Sequence, residues 1–326
     1  FFHSGMVTEI EQLRRRESLI LTGVSEPRSD SDSRPFKMGP YIGLLRIPHW
    51  IKSLFILLPL PFAVASGGDP DPLNLALGIL GFSLLSSGVY IFNDIHDRHS
   101  DQKHPVKKQR AVAAGIVSPV SACLWGILVS LAGFALLSFP GLLLPFSPEP
   151  WLLGGCYLAG NVLYTFWARS LPWLDVLFLA SFFLARLTLG CSLMLVKASG
   201  MLIVTGFLLA LNLALGKRYS ELTRGYGPEY RPSLSGYRLP VLSRALALTM
   251  AACGLTYLWY CLNSDLFKPG NWWWSVVVVT LGLFLYFREL VFHEKGRDPV
   301  EVVLKSVWPR WIIPIWILMV ILGIKW

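Results

Sequence analysis

Three aspartates stand close together directly after a long apolar stretch of the chain. Asp94, Asp97 and Asp101 are spaced so that a helix continuing through them would place all three carboxylates on one face. Like charges on one face repel each other, so this arrangement requires a counterion. Mg²⁺ is a hard cation that proteins hold with a few carboxylates, substrate phosphates and water. The spacing predicts a magnesium site formed by these three aspartates.

Polar and basic side chains flank the three aspartates. Asn93 precedes them and can add an amide oxygen, while His104, Lys107 and Arg110 follow and can donate to phosphate oxygens. Carboxylates for a metal beside cations for phosphates indicate a diphosphate leaving group. The alternative is a solvated loop whose acids only balance its bases, and the spacing alone leaves that alternative open.

A second charged loop covers residues 216–244 and begins with a mixed run of charges. Lys217, Arg218 and Glu221 follow an apolar stretch, with Tyr219 between them. Lys217 and Glu221 can form an ion pair across one helical turn. Tyr219 can hydrogen-bond a phosphate or anchor the helix at a membrane interface. Both loops carry more charge than orientation in a membrane requires, so we expect the chemistry of the protein there.

The elements that position these loops follow from the composition. Hydrophobic residues make up 54% of the 326 residues and charged residues only 15%, and the mean hydropathy is +0.53. A water-soluble chain of this size could not bury so much apolar surface. The composition excludes disorder, collagen, coiled coil and a small disulfide scaffold, and it predicts an all-α integral membrane protein.

Apolar windows of helix length predict nine membrane spans. Their approximate bounds are 49–66, 73–92, 119–139, 151–168, 173–195, 201–216, 243–262, 272–291 and 308–325. Of the lysines and arginines in the connections between spans, nearly all follow the even-numbered spans, and only Lys197 and Lys268 follow the odd-numbered ones. The positive-inside rule therefore predicts a multi-pass protein of the cell (inner) membrane. The N-terminus and both charged loops would be cytoplasmic, and the C-terminus outside.

Two domains of unequal character are expected. Residues 1–40 are polar and predict a flexible cytoplasmic tail, in which the five residues before Met6 are a remnant of cloning or a clipped start. Residues 41–326 are expected to form the transmembrane domain. The five cysteines lie inside apolar runs and are expected to be free and buried.

The motif N-D-x-x-D-x-x-x-D after a membrane helix resembles the first aspartate-rich motif of the UbiA superfamily of intramembrane prenyltransferases. Nine spans also match that family, and the resemblance covers roughly residues 40–325. Further matching segments are R-x-x-x-W-x-K at 46–52, Tyr157, Tyr164-Thr165, Asp175-Val176 and R-L-T-L-G at 186–190. The resemblance implies a UbiA-like helical bundle whose active-site loops form a cytoplasmic cap.

The second charged loop indicates which group within this superfamily the chain resembles. Aromatic prenyltransferases of this superfamily carry a second motif, D-x-x-x-D, where this chain has K-R-Y-S-E-L at 217–222. That segment, H-P-x-K-x-x-R at 104–110 and R-P-S-L-S-G-Y at 231–237 are similar to the decaprenyl-phosphate phosphoribosyltransferases. One departure is Ala111, where that group more often has proline.

The resemblance implies transfer of 5-phosphoribose from phosphoribosyl diphosphate (PRPP) to a polyprenyl (decaprenyl) phosphate, with release of diphosphate. The product would supply lipid-linked arabinose for cell-wall polysaccharides. The aspartates would hold Mg²⁺ against the leaving diphosphate. The remaining phosphates need positive charge, which a second D-x-x-x-D would oppose. Lys217 and Arg218, with His104, Lys107 and Arg110, are the candidates for that role.

Further residues are assigned to substrate binding with their alternatives left open. Glu221 either holds Lys217 or contacts the ribose or the metal directly. Lys52 either faces the site or extends towards the membrane surface. Arg186 lies in the middle of a predicted span, where an unpaired cation is costly. We expect it to face the interior as a ligand-side group or as the partner of an acid such as Asp175.

The resemblance leaves two competing functions. An aromatic prenyltransferase of the same superfamily would use a prenyl diphosphate donor, and the missing second D-x-x-x-D argues against it. A transporter would place ionisable residues within the membrane, whereas here they cluster in the loops. The expected partners are PRPP, a polyprenyl phosphate and the bilayer, and no nucleic acid. The sequence leaves the oligomeric state open, a homo-oligomer included.

Overall fold

The computed structural model describes residues 38–68, 70–143, 150–292 and 299–324, which are almost entirely helical. The expected N-terminal tail lies outside the described residues, apart from the start of the first helix. The α-helices are α1 (Met38–Leu44), α2 (Leu60–Ala65), α3 (Pro72–His96), α4 (Arg98–Lys103), α5 (Pro119–Leu143), α6 (Pro150–Phe166), α7 (Leu174–Leu193), α8 (Gly200–Thr223), α9 (Leu239–Asn263), α10 (Trp273–Phe292), α11 (Pro299–Lys305) and α12 (Pro309–Gly323). Short 3₁₀ helices cover Ile47–Leu57, Lys107–Gln109, Ala168–Ser170 and Pro232–Gly236.

The first predicted span is not one regular helix. It lies within a 28-residue apolar stretch, Met38–Ala65, that consists of α1, the 3₁₀ helix Ile47–Leu57 and α2. Pro48, Pro59 and Pro61 explain the interruptions, because proline lacks the backbone N–H that an α-helix needs in its interior. The prediction of one regular helix at 49–66 is therefore wrong.

Seven segments of the described residues are long and apolar enough to cross a membrane. The remaining two predicted spans correspond to α6, with 17 residues, and α12, with 15. At 1.5 Å per residue, helices of this length reach only about 22–26 Å, short of a hydrocarbon core about 30 Å thick. The chain is thus an all-helical multi-pass protein, and the count of nine spans stays a prediction.

Close helix contacts form one side of the bundle. Gly81 of α3 faces Gly133 of α5, and a Cβ built on either glycine would come within 3 Å of the other's carbonyl oxygen. This approach gives α3 and α5 the most extensive helix contact in the described chain. Beside it, Phe82 and Leu85 of α3 are fully buried with Leu189 of α7. Small residues therefore bring the helix that carries the aspartates into a tightly packed position.

The outer surface of the bundle is apolar. Large side chains such as Leu131, Leu248 and Phe284 are more than half exposed, as expected for a surface that faces lipid.

The prediction that the cysteines are free and buried is only partly confirmed. All five are free, but Cys156 is exposed and Cys123 half-buried, because each occurs on the outer face of its helix.

The connections after α3, α6 and α8 meet at one end of the bundle. Asp97, after α3, contacts Arg169 in the connection after α6. Arg231, in the connection after α8, contacts Asp175 in the first turn of α7. The charged loops singled out by the sequence therefore form one cap.

Candidate functional site

The aspartates after α3 are held by arginines from distant parts of the chain. One terminal nitrogen of Arg110 donates to Asp94 at 3.0 Å and to Asp101 at 2.7 Å. Arg46 also donates to Asp94. Asp97 pairs with Arg169, whose Nη1 lies 2.8 Å from its carboxylate. We call these three aspartates with Arg46, Arg110 and Arg169 the acidic region.

The three carboxylates do not share one helix face as expected. Helix α3 ends at His96, and Asp97 interrupts it with φ −86° and ψ 4° before α4 begins. Asp94 and Asp101 converge on the same Arg110 nitrogen, whereas Asp97 is directed towards Arg169. Among the described residues, no three acidic, histidine or cysteine side chains are close enough to hold a metal together.

The donor set nevertheless fits a divalent cation. The Asp94 and Asp101 side chains are almost completely buried, and their oxygens reach one common cationic nitrogen. Two converging carboxylates with substrate phosphates and water are how Mg²⁺ is usually held. Asn93 is already engaged, because its amide oxygen accepts from the Thr165 hydroxyl at 2.8 Å.

The backbone at Arg46 directs its side chain into the site. Arg46 has φ 51° and ψ 46°, a left-handed conformation that L-residues other than glycine adopt at a cost. Its guanidinium lies 5.0 Å from the centre of the Tyr90 ring and reaches Asp94. The Lys52 ammonium lies 6.0 Å from the same ring. Lys52 thus faces the edge of the site and does not only extend towards the membrane surface.

His104 is positioned as a neutral hydrogen-bond donor. Its Nδ1 accepts from the backbone N–H groups of Val106, at 3.1 Å, and Lys107, at 3.3 Å. The ring proton is therefore assigned to Nε2. Burial lowers the pKa of His104, and the charge of Lys107 lowers it further. The imidazole packs against the rings of Tyr226 and Tyr230, with centroids 5.3 and 5.0 Å away.

The second charged loop is organised around a buried carboxylate. Asp175 is completely buried, and its Oδ2 accepts from Nε of Arg218 at 2.7 Å and from the Ser233 hydroxyl at 2.8 Å. Its Oδ1 accepts from the Tyr237 hydroxyl. We call Asp175, Arg218, Ser233 and Tyr237 the Asp175 network. It joins α7, α8 and the loop before α9 into one unit.

Arg218 lies beneath the surface of the cap. Its side chain has no exposed area, and a second bond joins its Nη1 to Glu221 at 2.5 Å. This differs from the expectation that it contacts a phosphate directly. The ion pair of Glu221 is with Arg218, three residues away, and Arg231 lies 3.8 Å from it. Lys217 and Tyr219 are half-buried at the same end of α8.

Tyr237 links the network to a strained residue. Its hydroxyl donates to Asp175 and accepts from the backbone N–H of Trp173 at 2.7 Å. Trp173 has φ 68° directly before α7. Burial raises the pKa of Tyr237, and so does its bond to Asp175. The sequence reasoning assigned no role to Ser233 or Tyr237. The sequence offered one signal for them: Asp175 is a lone aspartate at the start of an apolar helix, and a buried carboxylate needs hydrogen-bond donors.

Arg186 is buried within the bundle, and its expected pairing with Asp175 is wrong. The two residues are on one helix, about 16 Å apart along its axis. Arg186 instead donates to the carbonyl of Phe182 at 2.6 Å and to the Ser86 hydroxyl at 3.1 Å. Its guanidinium lies 4.7 Å from the Phe82 ring centre, and its Nε finds no acceptor among the described residues. Carbonyl, hydroxyl and aromatic groups therefore stabilise this cation.

A small cleft lies between the two charged regions. It has a volume of about 40 Å³, room for a few water molecules. Carboxylates and cations both line it, and two of the cations pair with aspartates: Arg169 with Asp97 and Lys107 with Asp101. The residues are Asp97, Ser100, Asp101, His104, Lys107, Arg169, Glu229, Tyr230, Arg231 and Pro232.

A separate apolar groove lies on the outer surface of the bundle, between the 3₁₀ helix Ile47–Leu57 and α3. Its volume is about 540 Å³, and it opens to the surroundings of the bundle. The residues that line it are Trp50, Ile51, Leu54, Ala76, Ile79, Leu80 and Ser83.

Comparisons with known proteins agree with this architecture. The chain is 27% identical over 279 residues to the decaprenyl-phosphate phosphoribosyltransferase of Corynebacterium glutamicum, covering 81% of this chain and 80% of that protein. An uncharacterized protein of Sinorhizobium fredii is 27% identical over 94% of this chain, which spans 60% of that protein's length. The 4-hydroxybenzoate octaprenyltransferase of Vibrio cholerae is 35% identical over 148 residues, covering 42% of this chain and 52% of that protein.

The fold is also found among solved structures. A UbiA homologue from Archaeoglobus fulgidus, bound to DMAPP and Mg²⁺, superimposes with a TM-score of 0.67 over 87% of this chain and 99% of that one, at 17% identity. Residues 53–308 match the UbiA prenyltransferase family. The helical bundle, its cap of charged loops and this match together show that the chain belongs to the UbiA prenyltransferase family.

Proposed function

We propose that the protein transfers 5-phosphoribose from PRPP to a polyprenyl phosphate and releases diphosphate. The observation that carries this proposal is the Asp175 network. At the end of α8, where a prenyl diphosphate enzyme would need a second pair of aspartates, this chain has a buried arginine that pairs with Asp175 and Glu221, and Arg231 lies beside the same carboxylates. Relatives named decaprenyl-phosphate phosphoribosyltransferase match most of the chain, which supports the same reading.

The reaction requires two bonds to change at one carbon. The bond from C1 of the ribose to the diphosphate breaks, and an oxygen of the polyprenyl phosphate bonds to C1. The acceptor is already an anion, so no strong base is needed. Catalysis therefore depends on holding the two substrates in line and on stabilising the charge that develops on the diphosphate.

Asp94 and Asp101 are proposed to hold Mg²⁺ in this reaction, and Asp97 to join them once Arg169 releases it. The ion would neutralise the leaving diphosphate as a Lewis acid. Arg110 can donate to the diphosphate once it leaves the two carboxylates. Since Arg46, Arg110 and Arg169 are 19–29% exposed, exchanging their partners costs far less than separating a fully buried pair.

The other candidate residues support the substrates from two sides. His104 can donate from Nε2, and Lys107 brings a positive charge to the same cleft. We assign Arg218 a positioning role, because it has no surface to offer a ligand. Glu221 holds Arg218 and Arg231 in this proposal, while Lys217 and Tyr219 contribute as half-buried side chains at the end of α8.

The acceptor needs a path for its apolar chain. The groove between the 3₁₀ helix Ile47–Leu57 and α3 is proposed to hold the part of that chain near the phosphate. Arg46 and Lys52 belong to the same segment of the chain and lie near Tyr90, closer to the acidic region. They are suited to the acceptor phosphate. The cap is proposed to face the cytoplasm of the cell membrane, in agreement with the basic residues of its loops.

The second candidate is an aromatic prenyltransferase. The match to the Vibrio cholerae octaprenyltransferase favours it over part of the chain. Purified protein is given labelled PRPP with a polyprenyl phosphate, or labelled prenyl diphosphate with 4-hydroxybenzoate, each with Mg²⁺ and with EDTA. We expect labelled lipid from the first mixture only, and only with Mg²⁺. Product from the second mixture alone would replace our proposal, and transfer that persists in EDTA would remove the metal from it.

A further inference from the structure

The cleft brings carboxylates and cations from different segments of the chain together. Asp97 and Asp101 line it and belong to the acidic region. Lys107 and Arg231 also line it, as does His104, whose ring packs against Tyr226 and Tyr230. Such a cleft suits a ligand that presents a metal-bound group at one end and an anion without metal at the other. PRPP has these two ends, a diphosphate at C1 and a phosphate at C5.

Arg231 is held so that its cationic group stays at the cleft. Its Nη1 donates to the Tyr164 hydroxyl at 2.9 Å and lies 3.6 Å from Asp175. Its side chain is 24% exposed, whereas Arg218 behind it has no exposed area. Arg218 and Arg231 together balance the charges of Asp175 and Glu221. Of the two arginines, Arg231 is the one with exposed surface that a ligand can reach.

Lys107 adds a second cation from another segment of the chain. Its ammonium lies 4.0 Å from Asp101 and is 37% exposed. Lys107 and Arg231 line the same small cleft, so their like charges repel each other. Glu229, a further acid of the cleft, is exposed and accepts from the backbone N–H of Gly227. An anion between Lys107 and Arg231 would relieve the repulsion.

We propose that Lys107 and Arg231, with the Nε2–H of His104, form a site for a phosphate monoester. The inference rests on the proposed function and deepens it, because it names which group of a substrate lies against Lys107 and Arg231. Two sources share this chemistry: the 5-phosphate of the donor and the phosphate of the polyprenyl acceptor. Arg231 is then a specificity residue that the first charged motif does not include.

The test compares Arg231→Gln and Lys107→Gln with the wild type in lipid nanodiscs with Mg²⁺. Arg238→Gln is the matched control, because Arg238 is an exposed arginine of the same loop. Dissociation constants are measured for PRPP, for ribose 1-diphosphate, which lacks the 5-phosphate, and for farnesyl phosphate as a short acceptor. Arg231→Lys shows whether charge alone restores binding, and thermal unfolding shows that each variant is folded.

We expect Arg231→Gln and Lys107→Gln each to weaken PRPP binding by about 10- to 100-fold, the value of a hydrogen bond to a charged group. Binding of ribose 1-diphosphate should stay within about twofold of the control, since no 5-phosphate is lost. If farnesyl phosphate weakens instead of PRPP, the site exists and holds the acceptor phosphate.

Two results would overturn the site. One is unchanged affinity for both phosphate monoesters. The other is an equal loss for PRPP and ribose 1-diphosphate, which would mean a general effect on the cleft. Failure of the proposed function is a separate outcome, in which the wild type neither binds PRPP nor transfers from it.

Discussion

The two charged regions of the cap differ in how their ion pairs are exposed to water. In the acidic region, each carboxylate pairs with an arginine whose side chain is 19–29% exposed. In the Asp175 network, both Asp175 and Arg218 have no exposed side-chain area. A partly hydrated pair exchanges partners at little cost, while separating a buried pair leaves an uncompensated charge. The first region is therefore suited to bind ligands and the second to hold the site in shape.

The comparison predicts its largest effect for the buried pair. Arg218→Met should lower the free energy of unfolding by about 3–5 kcal/mol, because Asp175 stays buried without its cation. Arg110→Met, in the acidic region, should lower it less, by about 1–2 kcal/mol, because Asp94 keeps Arg46 and Asp101 keeps Lys107 as a nearby cation. Thermal unfolding of both variants in the same detergent checks the difference. Equal losses would mean that the two regions do not differ in this way.

The acidic region should show its effect in turnover. Asp94→Asn should lower kcat about 100- to 1,000-fold, as expected when one group that stabilises developing charge is removed. Its thermal stability should stay near that of the wild type, since water can solvate the partly exposed guanidinium groups of Arg46 and Arg110. Steady-state rates with PRPP and a polyprenyl phosphate check this. A variant with normal kcat and much lower stability would give Asp94 the role that we assign to Asp175.

A variant of Tyr237 tests whether the Asp175 network has a structural role. Tyr237→Phe removes the donor to Asp175 and leaves the backbone N–H of Trp173 without its acceptor. We expect a loss of about 1–3 kcal/mol in unfolding free energy with little change in the affinity for PRPP. Tyr226→Phe is the control, because the structure gives its hydroxyl no hydrogen bond among the described residues. A loss of PRPP affinity without a loss of stability would contradict the structural role.

The smallest effect concerns pH. The folded protein holds His104 with a pKa below its ordinary value of 6.5, so the unfolded chain binds this proton more tightly. The stability from neutral His104 is complete above pH 6.5 and is lost as the pH falls through the lowered pKa. The Tm of the metal-free wild type should therefore fall on acidification, and His104→Gln should fall less. Identical pH profiles would remove His104 as the cause.

The sequence predicted where the helices lie better than it predicted where a helix is interrupted. Long apolar runs gave α3, α5 and α7 to α10 because helix formation in a membrane follows apolar length. The first span was misjudged because a hydropathy window averages over prolines, although Pro48, Pro59 and Pro61 were visible. Proline acts on single backbone hydrogen bonds, and an average does not detect it.

The site was predictable where chemistry depends on local spacing. The aspartates and His104 were found this way, and the structure brings them to one cap. Their arginine partners were not, because Arg46 and Arg169 are 48 and 72 residues from the carboxylates that they bind. Long-range pairing depends on how the helices pack, which spacing does not encode. The wrong partner for Arg186 has a different reason: its 11-residue separation from Asp175 on one helix was visible in the sequence and already excluded the pair.

One measurement tests most directly the claim that the acidic region binds the substrate and the Asp175 network supports the shape of the site. The rise in Tm on adding PRPP with Mg²⁺ is recorded for the wild type, Asp94→Asn and Arg218→Met. We predict that Asp94→Asn starts near the wild-type Tm and loses the rise on adding ligand. Arg218→Met should start at a much lower Tm and keep most of the rise. The reverse pattern, or no rise in the wild type, would contradict the account.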